Sequence, residues 1–378
     1  MQGDGLIRIR DGTVRTILAE TEDVTEALVE VEGRLEKALN YNLLTGPLRE
    51  GVRVVLNTTA LHLQLGTGGY HFVIHAYGNS KGSFRNPTRR KNEGHAMKLR
   101  YTPLQLRCLT LEEQGSPYRD RIRRFKSLRG MPVLAGSLHS MLGPAAAGAK
   151  SAAPGLRIAY VMTDGGSLPL AFSRLVGQLK GRFIDATITA GQAFGGDYEA
   201  VNVYSALIAA KEVVGADVAI VTMGPGKLGT ATKYGFSEIE QGEVVNAVNV
   251  LKGTAVAIPR ICFGRLDYRH YGLSPHTVTA LGEVAMSPAV LPFPLLDEAR
   301  NTYLAEQLAA SGLERLHRIV YEDGKPALEA LAQEGVELTT MGRELDQDRE
   351  YFLAAGAAGR WAGRLAAEKA EKVRVAVL

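Results

Sequence analysis

The sequence predicts an α/β protein in which a small antiparallel β-barrel-like domain precedes a mostly parallel, doubly wound α/β domain. Three observations carry this reading. Short apolar and polar residues alternate through the first hundred positions; a run of small residues interrupts the chain at 141–155; and from Leu156 continuous apolar runs alternate with helical stretches.

The N-terminal pattern is visible in "GLIRIRDG", "ALVEVEGR", "GVRVVLNTTA" and "YHFVIHAYG", separated by Gly, Asn and Asp. Period-two alternation with turn residues at this spacing describes strands that bury one face, and it predicts a barrel-like domain over 1–110. A basic connecting segment and a linker follow over 111–155, because "MLGPAAAGAKSAAPG" offers little to bury and several backbone punctuators. The α/β domain then covers 156–378. Its strand and helix pairs are "LRIAYVMTD" with "SLPLAFSRLVGQLKG", "RFIDATITAG" with "DYEAVNVYSALIAAKEVVG", "ADVAIVTMGPG" with "SEIEQGEVVNAVNVLKG", and "TAVAIPRICFG" with "SPHTVTALGEVA". Apolar strands joined through helices pair in parallel by right-handed crossovers. Helix starts are read at Asp197, at Ser237 with Glu240 in capping-box spacing, and at Ser274 before Pro275. Two further strands, "LHRIVYE" and "VELTTMG", flank another helix. A final helix at about 346–370 precedes a possible edge strand, "VRVAVL".

In an open parallel sheet ligands bind beyond the strand carboxyl ends. The loops there are "DGGS", "AGQAFGGD", "GPGKLGT" and "GRLDYRHYG". Gly224, Gly226 and Gly229 have the G-x-G-x-x-G spacing of phosphate-cradling loops, with Lys227 and Thr230 as the polar contacts and Gln192 and Arg265 as further ligand-binding candidates. The alternative is a tight turn that needs glycine, since "TATKYGF" intervenes before the next helix. Asp164, Asp197, Asp267 and His270 are the candidate catalytic residues, as carboxylates or an imidazole able to move a proton. Each also has a structural reading: Asp164 and Asp197 as helix caps, and the Arg, Asp and His of 260–270 as a loop clamp.

The chain has 378 residues, 46% hydrophobic and 22% charged, with a net charge of +4 and two cysteines, Cys108 and Cys262. No stretch approaches the roughly 20 apolar residues of a membrane span, so the expectation is a cytoplasmic protein with no membrane partner. His71 and His75, four apart in a strand, stand about 13 Å from each other, too far to share an ion, and no metal site is predicted. No nucleophile elbow or P-loop is present. Between Lys81 and Arg129 fourteen Lys or Arg face four acids, with Phe84, Tyr101, Tyr118 and Phe125 interleaved. This segment makes nucleic acid a possible but secondary partner.

Taken together, "LGTGGYHFVIHAYG", "GHAMKLRYTPLQ", "GQAFGGDYEAVNVYSAL", "MGPGKLGTATKYGF" and "RHYGLSPHTVTAL" resemble a bacterial family known only as a domain of unknown function. That resemblance implies no activity, cofactor or catalytic residue. The residues point to an enzyme or sensor for a small anionic, phosphorylated or nucleotide-like ligand, with its cofactor open. The alternatives are a nucleic-acid-associated protein using the β domain and residues 81–129, or a structural oligomer. Gly356, Gly359 and Gly363 leave one face of the last helix nearly bare, which favours a homo-oligomer.

Overall fold

The computed structural model describes residues 6–64, 68–78, 94–264 and 268–377. The chain divides near residues 107 and 108 into two compact units.

The first unit is a closed barrel of β1 (Ile9–Glu20), β2 (Val24–Val31), β3 (Arg34–Tyr41), β4 (Arg53–Asn57) and β5 (His71–Ala76), in the order β1-β2-β3-β5-β4. Only the β3–β5 pairing is parallel. Alternate residues fill the interior, among them Val14, Val29, Val54, Leu56 and Val73. The barrel is narrow enough that a Cβ at Gly12 would come within 2.6 Å of Val29. Two register shifts bend β1 around it. His71 is buried against Glu36, whereas His75 is exposed and meets Tyr77 edge-on.

The second unit is an eight-stranded sheet, every pairing of which is parallel. In chain order its strands are β6 (Pro132–Ala135), β7 (Ile158–Thr163), β8 (Ala186–Ala190), β9 (Tyr198–Ala200), β10 (Val218–Met223), β11 (Thr254–Ala257), β12 (Val290–Pro294) and β13 (Arg318–Glu322). In space the order is β9-β8-β7-β10-β6-β11-β12-β13. Helices cover both faces: α1 (Leu142–Ala152), α2 (Arg174–Leu179), α3 (Val203–Ala209), α4 (Glu240–Val250), α5 (Pro275–Thr279), α6 (Glu298–Ser311), α7 (Lys325–Gln333) and α8 (Arg349–Val377). Because side chains alternate across a strand, β7 sends Tyr160 and Met162 into the layer of α1, α2, α7 and α8, and Ala159 and Val161 into the layer of α3 to α6. Among the described residues no helix is long and apolar enough to cross a membrane.

The structure corrects several sequence expectations. Residues 111–155 are not a connecting segment and linker: they hold β6, at the centre of the sheet, and α1, which is buried from Leu142 to Ala149. The small residues permit close helix packing. A Cβ at Gly148 would press on the Gly356 carbonyl, and Cβ atoms at Gly359 and Gly363 on the carbonyls of Ala145 and Ala149. The bare face of α8 is therefore occupied by α1, and the oligomer expectation loses its basis. The C-terminal tail continues α8 to Val377 instead of forming an edge strand. "VELTTMG" contributes only Thr339–Thr340 to a small hairpin outside the main sheet. Asp197 does not cap a helix, because Tyr198–Ala200 is a strand and α3 is capped by Asn202 with Ser205. Ser237 forms no capping box: it accepts from the Leu228 N–H, and α4 starts at Glu240. Ser274 does cap α5, with Pro275 in its first turn.

Candidate functional site

The strands following the two innermost crossovers set the position of the site. β7 leads into α2 on one face and its neighbour β10 into α4 on the other, since Val176 packs with Tyr160 and Met162 while Val244 packs with Val161 and Val221. Neighbouring strands whose connections leave on opposite faces open a crevice at their carboxyl ends. A small recess with an enclosed volume of about 10 Å³ lies there, lined by Ser137, Thr163, Thr222, Glu238, Glu240 and Gln241 among others.

Glu238 is buried and its Oε1 meets three basic groups: Arg260 Nη1 at 3.1 Å, Lys227 Nζ at 3.4 Å and His276 Nδ1 at 3.5 Å. Burial raises its carboxyl, but the His276 ring, its own backbone N–H and the Lys227 and Arg260 charges outweigh that and hold it down at about 2. Phe236 stacks on the His276 ring at 4.1 Å and fixes its plane. Two residues on, Glu240 occupies a different environment. Its Oε2 accepts from the Thr163 hydroxyl at 2.9 Å. A Cβ at Gly165 would stand 2.7 Å from that oxygen, so the glycine leaves it room. Burial pushes the Glu240 carboxyl up to about 7, against the Thr163 hydrogen bond and with the help of the Asp164 and Glu243 charges. One recess thus contains a carboxylate fixed in its ionised form and another that changes protonation near neutrality. That is the arrangement by which paired carboxyl groups divide acid and base roles.

Below the rim, His139 Nδ1 lies 3.0 Å from the Tyr160 hydroxyl and Nε2 lies 2.6 Å from Ser173 Oγ. Burial pushes this imidazole down to about 4, opposed by the Met223 backbone, so it is neutral at pH 7 and ties β7, α2 and the start of α1 together. Cys262, its thiol pushed up to about 12 chiefly by burial, is no nucleophile.

The residues singled out in the sequence scatter around this recess. Asp164 is exposed at the end of β7 and accepts from the Gln192 N–H at 2.7 Å, joining two rim loops in place of capping a helix. Gly191 is needed there, with φ +66° and no space for a Cβ beside the Asp164 carboxylate. Asp197 is not on the rim: its Oδ2 binds the Thr187 N–H and hydroxyl near the amino end of β8, and Lys180 pairs with its other oxygen. Phe194, in the same loop, is buried.

Gly224 is required by packing, since a Cβ would strike the Ser167 carbonyl. Gly226 has φ +95° with open space around it, and a Cβ at Gly229 would meet only Phe236 and His276, at 3.9 and 4.0 Å. The loop then closes on itself, Thr230 donating through N and Oγ1 to the Gly235 carbonyl. It does not open into a helix as a dinucleotide loop does. The helix start beyond carries Glu238, Glu240 and Glu243, which oppose an anion. His270 is buried with Nδ1 3.1 Å from Ser274 Oγ, its ring edge-on to His276. Its loop is the tip of a hairpin between Ile261–Cys262 and Gly272–Leu273, not the end of a main-sheet strand. Arg265 and Asp267 lie outside the described residues, as do Lys81, Phe84, Arg85, Arg89, Arg90 and Lys91 of the basic segment.

Of the expected residues, then, only Lys227 reaches Glu238, while Glu238, Glu240, Gln241 and His276 went unnoticed as site residues. The one available signal was the pair of acids around Ile239 at the start of a helix following an apolar strand.

A family model described as a protein of unknown function matches residues 37–359. No curated protein matches the chain.

Proposed function

We propose a function for a chain that belongs to the DUF3866 family, whose description assigns no activity, so the reading rests on the chain's own residues. It is a small-molecule site, in an enzyme or sensor, at which Glu240 gives or takes a proton. One observation carries this. Glu238 and Glu240 line the same recess at the sheet's crevice, the first surrounded by Lys227, Arg260 and His276 and the second bonded by the Thr163 hydroxyl. An anionic ligand is the weaker choice, because the Lys227 ammonium already faces Glu238.

The test is a ¹³C-carboxyl NMR titration of Glu240, compared with Glu240→Gln. The expected midpoint is near 7; a midpoint at the ordinary carboxylate value would sink the proposal. Stability gives a second readout. The folded-state value lies above the unfolded one, so the contribution of the protonated group is intact below about pH 4.5 and is lost as the pH rises to about 7. Glu240→Gln should therefore be more stable than the wild type at pH 8, by on the order of 3 kcal/mol, and nearly equal to it at pH 4.

A second reading, nucleic-acid association, is favoured by a separate observation. Arg119, Arg121, Arg123, Arg124, Lys126 and Arg129 are all exposed, and none forms an ion pair among the described residues. Tyr118 and Phe125 pack against the core, so contact would be with phosphates alone. Retardation of oligonucleotides should weaken steeply with salt, and replacing Arg121, Arg123 and Arg124 with Ala should lower both affinity and salt slope. No retardation at low salt removes this reading.

A further inference from the structure

Building on the acid–base reading of the recess, we infer that its ligand presents an uncharged head group with two hydrogen-bond donors, a vicinal diol or a primary amide, to Gln241 Oε1 and Glu238 Oε2. Gln241 is 2% exposed, and its Nε2 donates to the carbonyls of Ala135 and Ile258, both at 2.8 Å. Ala135 is the last residue of β6 and Ile258 the first beyond its neighbour β11. Their carbonyls also fix the orientation of the amide, because the reverse placement would set Oε1 against two acceptors. Oε1 has no hydrogen-bond partner among the described residues. Glu238, 1% exposed, directs Oε1 to its three basic neighbours, and its Oε2 has no hydrogen-bond partner among the described residues either. Buried acceptors are normally matched, and both residues line the recess.

The occupant must therefore donate. Charge narrows it further. A cation at Glu238 Oε2 would meet the Arg260 and Lys227 charges, and an anion would meet Glu238 and ionised Glu240. The enclosed part of the recess measures about 10 Å³, close to the size of one water, so only the donor group itself enters and the rest of the ligand extends outward. Diol and amide offer the same donor pair and are separated by experiment.

Saturation-transfer NMR on the full chain at pH 6 and 8 provides the test, with cis-1,2-cyclohexanediol and propionamide as probes and inorganic phosphate and methylammonium as charged counterparts. At least one donor probe should bind, and Gln241→Met should weaken it about tenfold or more. Since Gln241 also links two strands, Ser137→Leu, which fills the recess from the β6 side, serves as the second variant and should do the same. The inference is overturned if neither donor probe binds, if a charged probe binds in their place, or if both variants bind as the wild type does. Its failure is distinguishable from that of the acid–base reading. Glu240 titrating near 7 with no donor probe bound would leave the earlier reading standing alone, and a bound probe with Glu240 at its ordinary value would do the converse.

Discussion

Gly359→Val is expected to destabilise the protein by about 3–5 kcal/mol, among the largest losses a single substitution causes. α8 and α1 meet backbone to backbone, and a Cβ at Gly359 would lie against the Ala145 carbonyl oxygen and its two neighbouring backbone atoms. Backbone cannot rotate away as a side-chain tip can, so the helices must separate. Separation would strip contacts from Ala145, Ala146, Ala149, Ala355, Ala358 and Ala362, all fully buried. Gly177 supplies the control. It too is helical, yet nothing lies within 4 Å of the Cβ position, so Gly177→Ala should stabilise by about 0.5–1 kcal/mol through backbone entropy. Urea unfolding of both variants reads the two signs. A Gly359→Val protein with wild-type midpoint would show that the helices are not in this contact.

Glu238→Ala should cost a comparable amount, about 3–5 kcal/mol, by removing the buried carboxylate on which Arg260, Lys227 and His276 converge. Arg260 and Glu238 are 2% and 1% exposed and 3.1 Å apart. Replacing both at once removes the buried cation together with the carboxylate it pairs with, so Glu238→Ala with Arg260→Met should recover a large part of the loss. The resulting coupling, measured by a double-mutant cycle, should be at least about 2 kcal/mol. Acid should act like the single mutation. The carboxyl's folded value lies below its unfolded one, so its contribution is present above about pH 4.5 and disappears as the pH falls toward 2. Strict additivity of the two substitutions would mean that the pair does not interact.

Strand class and parallel pairing were legible because β7, β8, β10 and β11 are continuous apolar runs followed by turn residues. The central strand β6 escaped notice since it is four residues long and sits beside a basic stretch and a small-residue run that read as linker. Composition reports how much a segment can bury, not how closely its backbone can approach another, and α1 is buried by closeness. β12 was hidden by Pro292 and Pro294, which argue against a strand. The site was less legible still. Its residues come from six segments, Ser137, Thr163, Thr222, Lys227 to Gln241, Arg260 and His276, and which of them meet depends on strand order. The glycine loop attracted attention through a spacing pattern, yet Gly224 and Gly226 are accounted for by close packing and a left-handed turn.

The interleaving of β6 and β10 bears on how the protein comes to be made. Val133 of β6 has Ala219 and Ala255 as its lateral partners, and no strand synthesised nearer to it lies beside it. β6 is thus the first strand of this sheet to be translated, yet it cannot pair until β10 has followed. Until β10 has emerged, the apolar β6 and the alanine-rich α1 have no sheet to join, while β7 and β8 can already pair with each other. A ring closure of this length is slow. In the interval the growing chain exposes a segment that is fully buried in the mature protein.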